Sequence, residues 1–122
     1  MYFDTHAHYD DRTFDEDRDS LLAALPESGV TLVIDPGCDV KSSRAAIELA
    51  ARYEHVYAAV GIHPEELGDF TEENLNEIAR LAGESKCAAI GEIGLDYYWD
   101  DTHKAEQKEL FRRQIELAIE LG

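Results

Sequence analysis

Basic residues are scarce in this 122-residue chain, where 11 Lys plus Arg stand against 27 Asp plus Glu, a formal net charge of −16 with histidine neutral. That deficit excludes a broad basic surface gripping a nucleic-acid backbone non-specifically, so any work on a polyanion has to be local and helped by bound cations. Only two cysteines occur. Cys38 and Cys87 are far apart and form neither a CxxC pair nor a disulfide framework. A reducing compartment is therefore expected, with Cys87 read as a small buried apolar residue. Long apolar runs are missing too. The opening Met1-Tyr2-Phe3-Asp4 has no basic region, so neither a signal peptide nor a membrane span is expected, and the expected location is cytoplasmic. No linker, low-complexity tract or close repeat divides the chain, which reads as one domain over 1–122.

What is present is globular: 44% hydrophobic and 31% charged residues. Four short apolar runs, Tyr2-Phe3, Thr31 to Ile34, Val56 to Val60 and Cys87 to Ile90, read as buried strands. Each is followed by turn or polar residues: Asp4-Thr5-His6, Asp35-Pro36-Gly37, Gly61-Ile62-His63-Pro64 and Gly91-Glu92-Ile93-Gly94. Between them lie helical patterns. Leu21, Leu22 and Leu25 share a side of a first helix expected to stop at Ser28-Gly29. Ala46, Leu49, Ala50 and Tyr53 mark the second helix, and Leu75, Ile78, Ala79 and Ala82 the third, with Thr71 as its N-cap. A fourth is expected from about Thr102 to Gly122, with Phe111, Ile115, Ala118 and Ile119 as its apolar positions. Strand and helix alternating four times, in units of about 30 residues, imply an α/β fold with a parallel sheet. Two closures satisfy the pattern: a doubly wound sheet, or part of an eight-stranded barrel. In both, functional residues gather at the carboxyl ends of the strands.

His6 and His8 stand at i and i+2, so on extended backbone both leave one face and can share a metal ion. Glu92 lies between Gly91 and Gly94, which are expected to let the backbone turn and bring the carboxylate to the open end of the sheet. His63 sits at the same end, where an imidazole can contact a phosphate or carry a proton. Asp96 follows in the Glu92 loop as an acid that can tie the loop down. His55 and His103, beside helix boundaries, read as surface or capping residues.

Together these motifs resemble the TatD family of metal-dependent deoxyribonucleases, within the wider amidohydrolase-like group of hydrolases. The resemblance rests on Asp4-Thr5-His6-Ala7-His8, Gly61-Ile62-His63-Pro64, Gly91 to Tyr98, and the segment Gln107 to Gln114 followed by Leu117-Ala118. It implies a TIM-type (β/α)8 barrel in which His6 and His8 hold one divalent ion and Glu92 binds or bridges metal. It also implies that Glu92 and His63 take part in catalysis, His63 from the substrate side, and that Asp96 supports them. Mg²⁺ is the first expectation, with Mn²⁺ or Zn²⁺ as alternatives and one or two ions per complete site. The family pattern adds a histidine after the fifth strand, another after the sixth and an aspartate at the last, none of which these residues supply. The chain thus reads as a half-barrel of four βα units. Its expected substrate is DNA, as single strands or chain ends. The alternatives are small phosphoesters or amides, or an inactive fragment serving as an interaction module. Open sheet edges, with Val33 and Val60 on the uncovered inner face, lead to an expectation of self-association.

Overall fold

A computed structural model describes all residues 1–122. The strands are β1 (Tyr2–Asp4), β2 (Val30–Pro36), β3 (Val56–Val60) and β4 (Cys87–Ile90), and the helices α1 (Arg18–Ala24), α2 (Val40–Arg52), α3 (Glu72–Ala82) and α4 (Lys104–Leu121). All neighbouring strands are parallel, in the order β1-β2-β3-β4. A doubly wound sheet reverses its strand order at a switch point, and this one does not. With right-handed crossovers, unbroken sequential order stacks the helices on one face, the arrangement of a barrel. The fold is four units of a (β/α)8 barrel.

Local chemistry explains the element ends. Pro26 offers no N–H to the turn before it, and α1 stops at Ala24 rather than at the expected Ser28-Gly29. The Thr71 hydroxyl accepts from the Asn74 N–H at 3.1 Å and starts α3 as expected. Asp39 and Ser42 form a reciprocal capping box at the start of α2. Strand β2 runs through Asp35 and Pro36, which the sequence assigns to a turn.

Both hydrophobic clusters lie on the helix side of the sheet. One cluster joins Leu22, Val33, Leu49 and Val56, and a second joins Val60, Ile62, Ile78 and Leu110. Val33 and Val60 are therefore fully buried under helices instead of facing the open inner side. Alternation places Leu32, Ile34 and Tyr57 on that inner side, with Phe3 beside Leu32.

Helix α4 also departs from expectation. Its buried positions are Gln107, Leu110 and Gln114, while Ile115 and Ile119 are exposed. Gln114 accepts from the Ile62 N–H at 2.7 Å and donates to the Ile62 carbonyl at 2.9 Å, acting as a strand partner for the backbone beyond β3. Two satisfied backbone groups make burial of this amide affordable, so hydrophobic periodicity points to the wrong face. Cys87, on the edge strand, is only half-buried.

Candidate metal centre

Backbone pairing continues past the strand ends and holds the site-bearing segments in place. The Ala7 N–H donates to the Ile34 carbonyl (3.1 Å), His63 N–H to Cys38 (2.7 Å) and Glu92 N–H to Gly37 (2.8 Å). Glycine is required where these segments meet. A Cβ on Gly61 would sit 2.9 Å from the Gly91 carbonyl carbon, and Gly94 has φ of 149°, a region L-residues rarely adopt. At Gly91 itself an added Cβ would make only ordinary contact, so of the two glycines flanking Glu92 it is Gly94 that the conformation demands.

Three side chains converge at the carboxyl end. His6 Nε2 and His8 Nε2 are 3.1 Å apart, and Glu92 Oε2 lies 3.4 Å from the first and 3.6 Å from the second. With Nε2 of both rings unprotonated these would be three lone-pair donors facing one another, an arrangement that a cation between them relieves. Ligands about 2.0–2.1 Å from a common ion are separated by roughly 3.0 Å at right angles and about 3.4 Å at tetrahedral angles. Two of the three separations fall in that range and the third, 3.6 Å, lies just beyond it, so the residues present suit a divalent ion. The Asp4 carboxylate accepts from the His6 N–H at 3.1 Å and fixes the bend that follows β1.

His63 completes the cluster from the other side, its Nε2 3.7 Å from Glu92 Oε1. The Glu65 N–H donates to His63 Nδ1 at 3.1 Å. In the neutral ring the proton must then be on Nε2, so His63 faces the site as a donor. Asp96 is drawn elsewhere: it groups with His63 and Glu65 rather than with the triangle. Its backbone is clasped by Gln107, which accepts from its N–H (2.8 Å) and donates to its carbonyl (2.7 Å). His55 instead bonds the Leu22 carbonyl through Nε2 at 2.9 Å, and exposed His103 pairs with Asp100 at the start of α4.

Two groups near the centre escape sequence reasoning. The Cys38 thiol donates to Glu92 Oε2 at 3.7 Å, and burial, reinforced by the Glu92 charge, pushes its pKa up to about 12. It is a donor, not a thiolate. Its signal was its place one residue after the turn that ends β2. Asp35 is fully buried in β2, where it accepts the Asp10 N–H at 3.0 Å through one oxygen while the other has no partner. Burial first, then the Asp10 charge, raises its pKa. An acid inside an apolar strand run was the available signal.

Fold and site together define a protein of the (β/α)8 class, of which the chain carries four units, with a candidate metal centre at the carboxyl ends of its strands. The family described as "TatD related DNase" matches residues 3–122, and the chain belongs to it. It is 41% identical over 122 residues to an uncharacterized metal-dependent hydrolase, YabD, of Bacillus subtilis, covering all of this chain and 48% of that protein. It is 34% identical over 120 residues to the 3'-5' ssDNA/RNA exonuclease TatD of Cronobacter sakazakii, covering 98% and 46%. The crystal structure of YjjV, a TatD homolog from Escherichia coli, superposes with a TM-score of 0.87 at 32% identity, over 96% of this chain and 46% of that one. The chain thus spans about half the length of the curated relatives it matches. No helix is long and apolar enough to cross a membrane.

Proposed function

We propose that the chain supplies the strand-one and strand-four ligands of a phosphodiesterase that hydrolyses DNA, at single strands or chain ends. The observation that carries this is the convergence of His6, His8 and Glu92 within 3.1–3.6 Å. The net charge of −16 disfavours a grip on long duplex and leaves phosphate recognition to a bound cation.

His6, His8 and Glu92 would hold a divalent ion, Mg²⁺ first, which when bound would supply Lewis acidity towards a phosphoryl oxygen and acidify water. The histidines would do so as neutral imidazoles, and Glu92 Oε1 faces His63. His63 presents its Nε2–H to substrate oxygen, held in that tautomer by Glu65. Cys38 keeps Glu92 oriented through its thiol hydrogen. Asp96 keeps the Glu92 loop in shape. Self-association through the open sheet edges is part of the same proposal, supported by exposed Phe3 on β1 and Ile119 on α4.

Calorimetric titration with Mg²⁺, Mn²⁺ and Zn²⁺ tests the centre. His8→Ala should cost more than the roughly 10–100-fold in affinity typical of groups that merely support a ligand. Equal affinity in both proteins overturns the assignment. Because the histidines must be neutral to ligate, binding should weaken as the pH is lowered. In the full-length protein, His63→Asn should lower turnover of single-stranded DNA with a melting temperature within about 2 °C of wild type. A large melting loss with normal turnover would make His63 structural. Hydrolysis of small phosphoesters or amides but not of DNA would replace the substrate and keep the metal centre.

A further inference from the structure

Exposed large apolar side chains gather at the β1 edge, in Tyr2 and Phe3, and along α4, in Ile115, Ile119 and Leu121. A separate pair, Tyr98 and Trp99, stands on the β4–α4 loop at the site end of the sheet, 81% and 75% exposed, with ring centroids 4.6 Å apart and planes at 88°. The loop beneath them is built. Gln107 clasps the Asp96 backbone, the Tyr98 N–H donates to Asp96 Oδ1 at 3.0 Å, and Asp100 Oδ1 accepts from the Thr102 N–H at 2.8 Å. The same loop begins with Glu92, and Asp96 groups with His63 and Glu65. The aromatic pair is therefore tied through Asp96 to the residues around the metal centre.

We infer that Tyr98 and Trp99 form a stacking platform for an unpaired base of a single-stranded nucleic acid whose phosphate lies at the metal centre. The inference rests on the nucleic-acid reading above and names how the substrate is held. Charge selects the occupant. Glu65, Asp96 and Asp100 line the base of the loop while Asp101 is paired with Lys104, so the local charge stays negative and a neutral, flat face is favoured there over a phosphate. A base offers such a face, whatever its identity, because every base has a π-face on which an aromatic side chain can stack. Duplex is disfavoured twice, since its base faces are covered and it brings two charged backbones.

Trp99 is the sole tryptophan of these 122 residues, and the emission difference between wild type and Trp99→Ala isolates its signal in the full-length protein. The probe is a short oligothymidylate with hydrolysis-resistant phosphorothioate linkages, with Mg²⁺ present. Binding should quench Trp99, and Trp99→Ala should weaken affinity on the order of 10-fold. That would bring it towards the wild-type affinity for an abasic oligonucleotide of equal length. Trp99→Phe should recover most of the loss. Unchanged affinity in Trp99→Ala, or a Trp99 emission already that of a buried ring and unmoved by the probe, overturns the platform; the second result would mean that another part of the protein covers it. DNA cleavage with normal metal binding would leave the nuclease reading standing in either case. A quench in a protein without a His8-dependent metal site would support the platform alone.

Discussion

On the helix side of the sheet, Val33, Val56 and Val60 are fully buried under helices, whereas on the other side Phe3 stays 56% exposed and Ala89 of β4 faces solvent. Both faces are apolar, so hydrophobicity alone does not separate them. The difference is connectivity. A right-handed βα crossover returns each helix to the same face, so four consecutive units finish one side by themselves. The inner side of a barrel is filled by residues from strands across it, and four strands do not close.

Matched substitutions should sharpen that contrast, the largest effect coming from the core. Leu22→Ala should lose about 2–5 kcal/mol in urea denaturation. Phe3→Ala in the 122-residue chain should cost less than about 1 kcal/mol, a difference that narrows in the full-length protein. If Phe3→Ala is as costly in the short chain, its inner face is already covered, and sedimentation would identify a second copy. Next is α4, where the two faces compete on one helix. Gln114→Ala leaves the buried Ile62 N–H and carbonyl unpaired, at about 1–3 kcal/mol for each group, while exposed Ile119→Ala should stay within about 0.5 kcal/mol. Equal costs would mean that the apolar stripe, not the glutamine, docks the helix.

The remaining contrast is Asp35, the acid on the buried face, whose effect is read through its pH dependence. Its raised pKa means that the folded chain binds the proton more tightly than the unfolded chain does. Its contribution to stability is full below the ordinary aspartate value and falls as pH rises towards the raised one. Asp35→Asn should therefore raise the melting temperature at neutral pH, with the gain fading towards about pH 4. A gain independent of pH would mean that Asp35 does not carry the proton.

Much of the site was legible because its residue types are rare and its spacing is short. His6 and His8 lie two residues apart, and the glutamate sits in a loop whose Gly94 is conformationally required. Asp96 was legible as a loop-holding acid, but its neighbours were not. It meets His63 and Glu65, and only folding brings those elements together. Cys38 was overlooked because a lone thiol carries no pattern.

The residues by themselves determined the alternation of strand and helix, the Thr71 cap, and the types of ligand available at the strand ends, since each depends on interactions within a few positions. Tertiary structure decided which side of each strand meets water, because alternation sets the period but not the parity. It turned α4 onto Gln107 and Gln114 instead of Ile115 and Ile119, through bonds from Gln114 to a backbone 52 residues away that no local pattern encodes. It also chose the proton-bearing nitrogen of His63, because that depends on where the Glu65 N–H points.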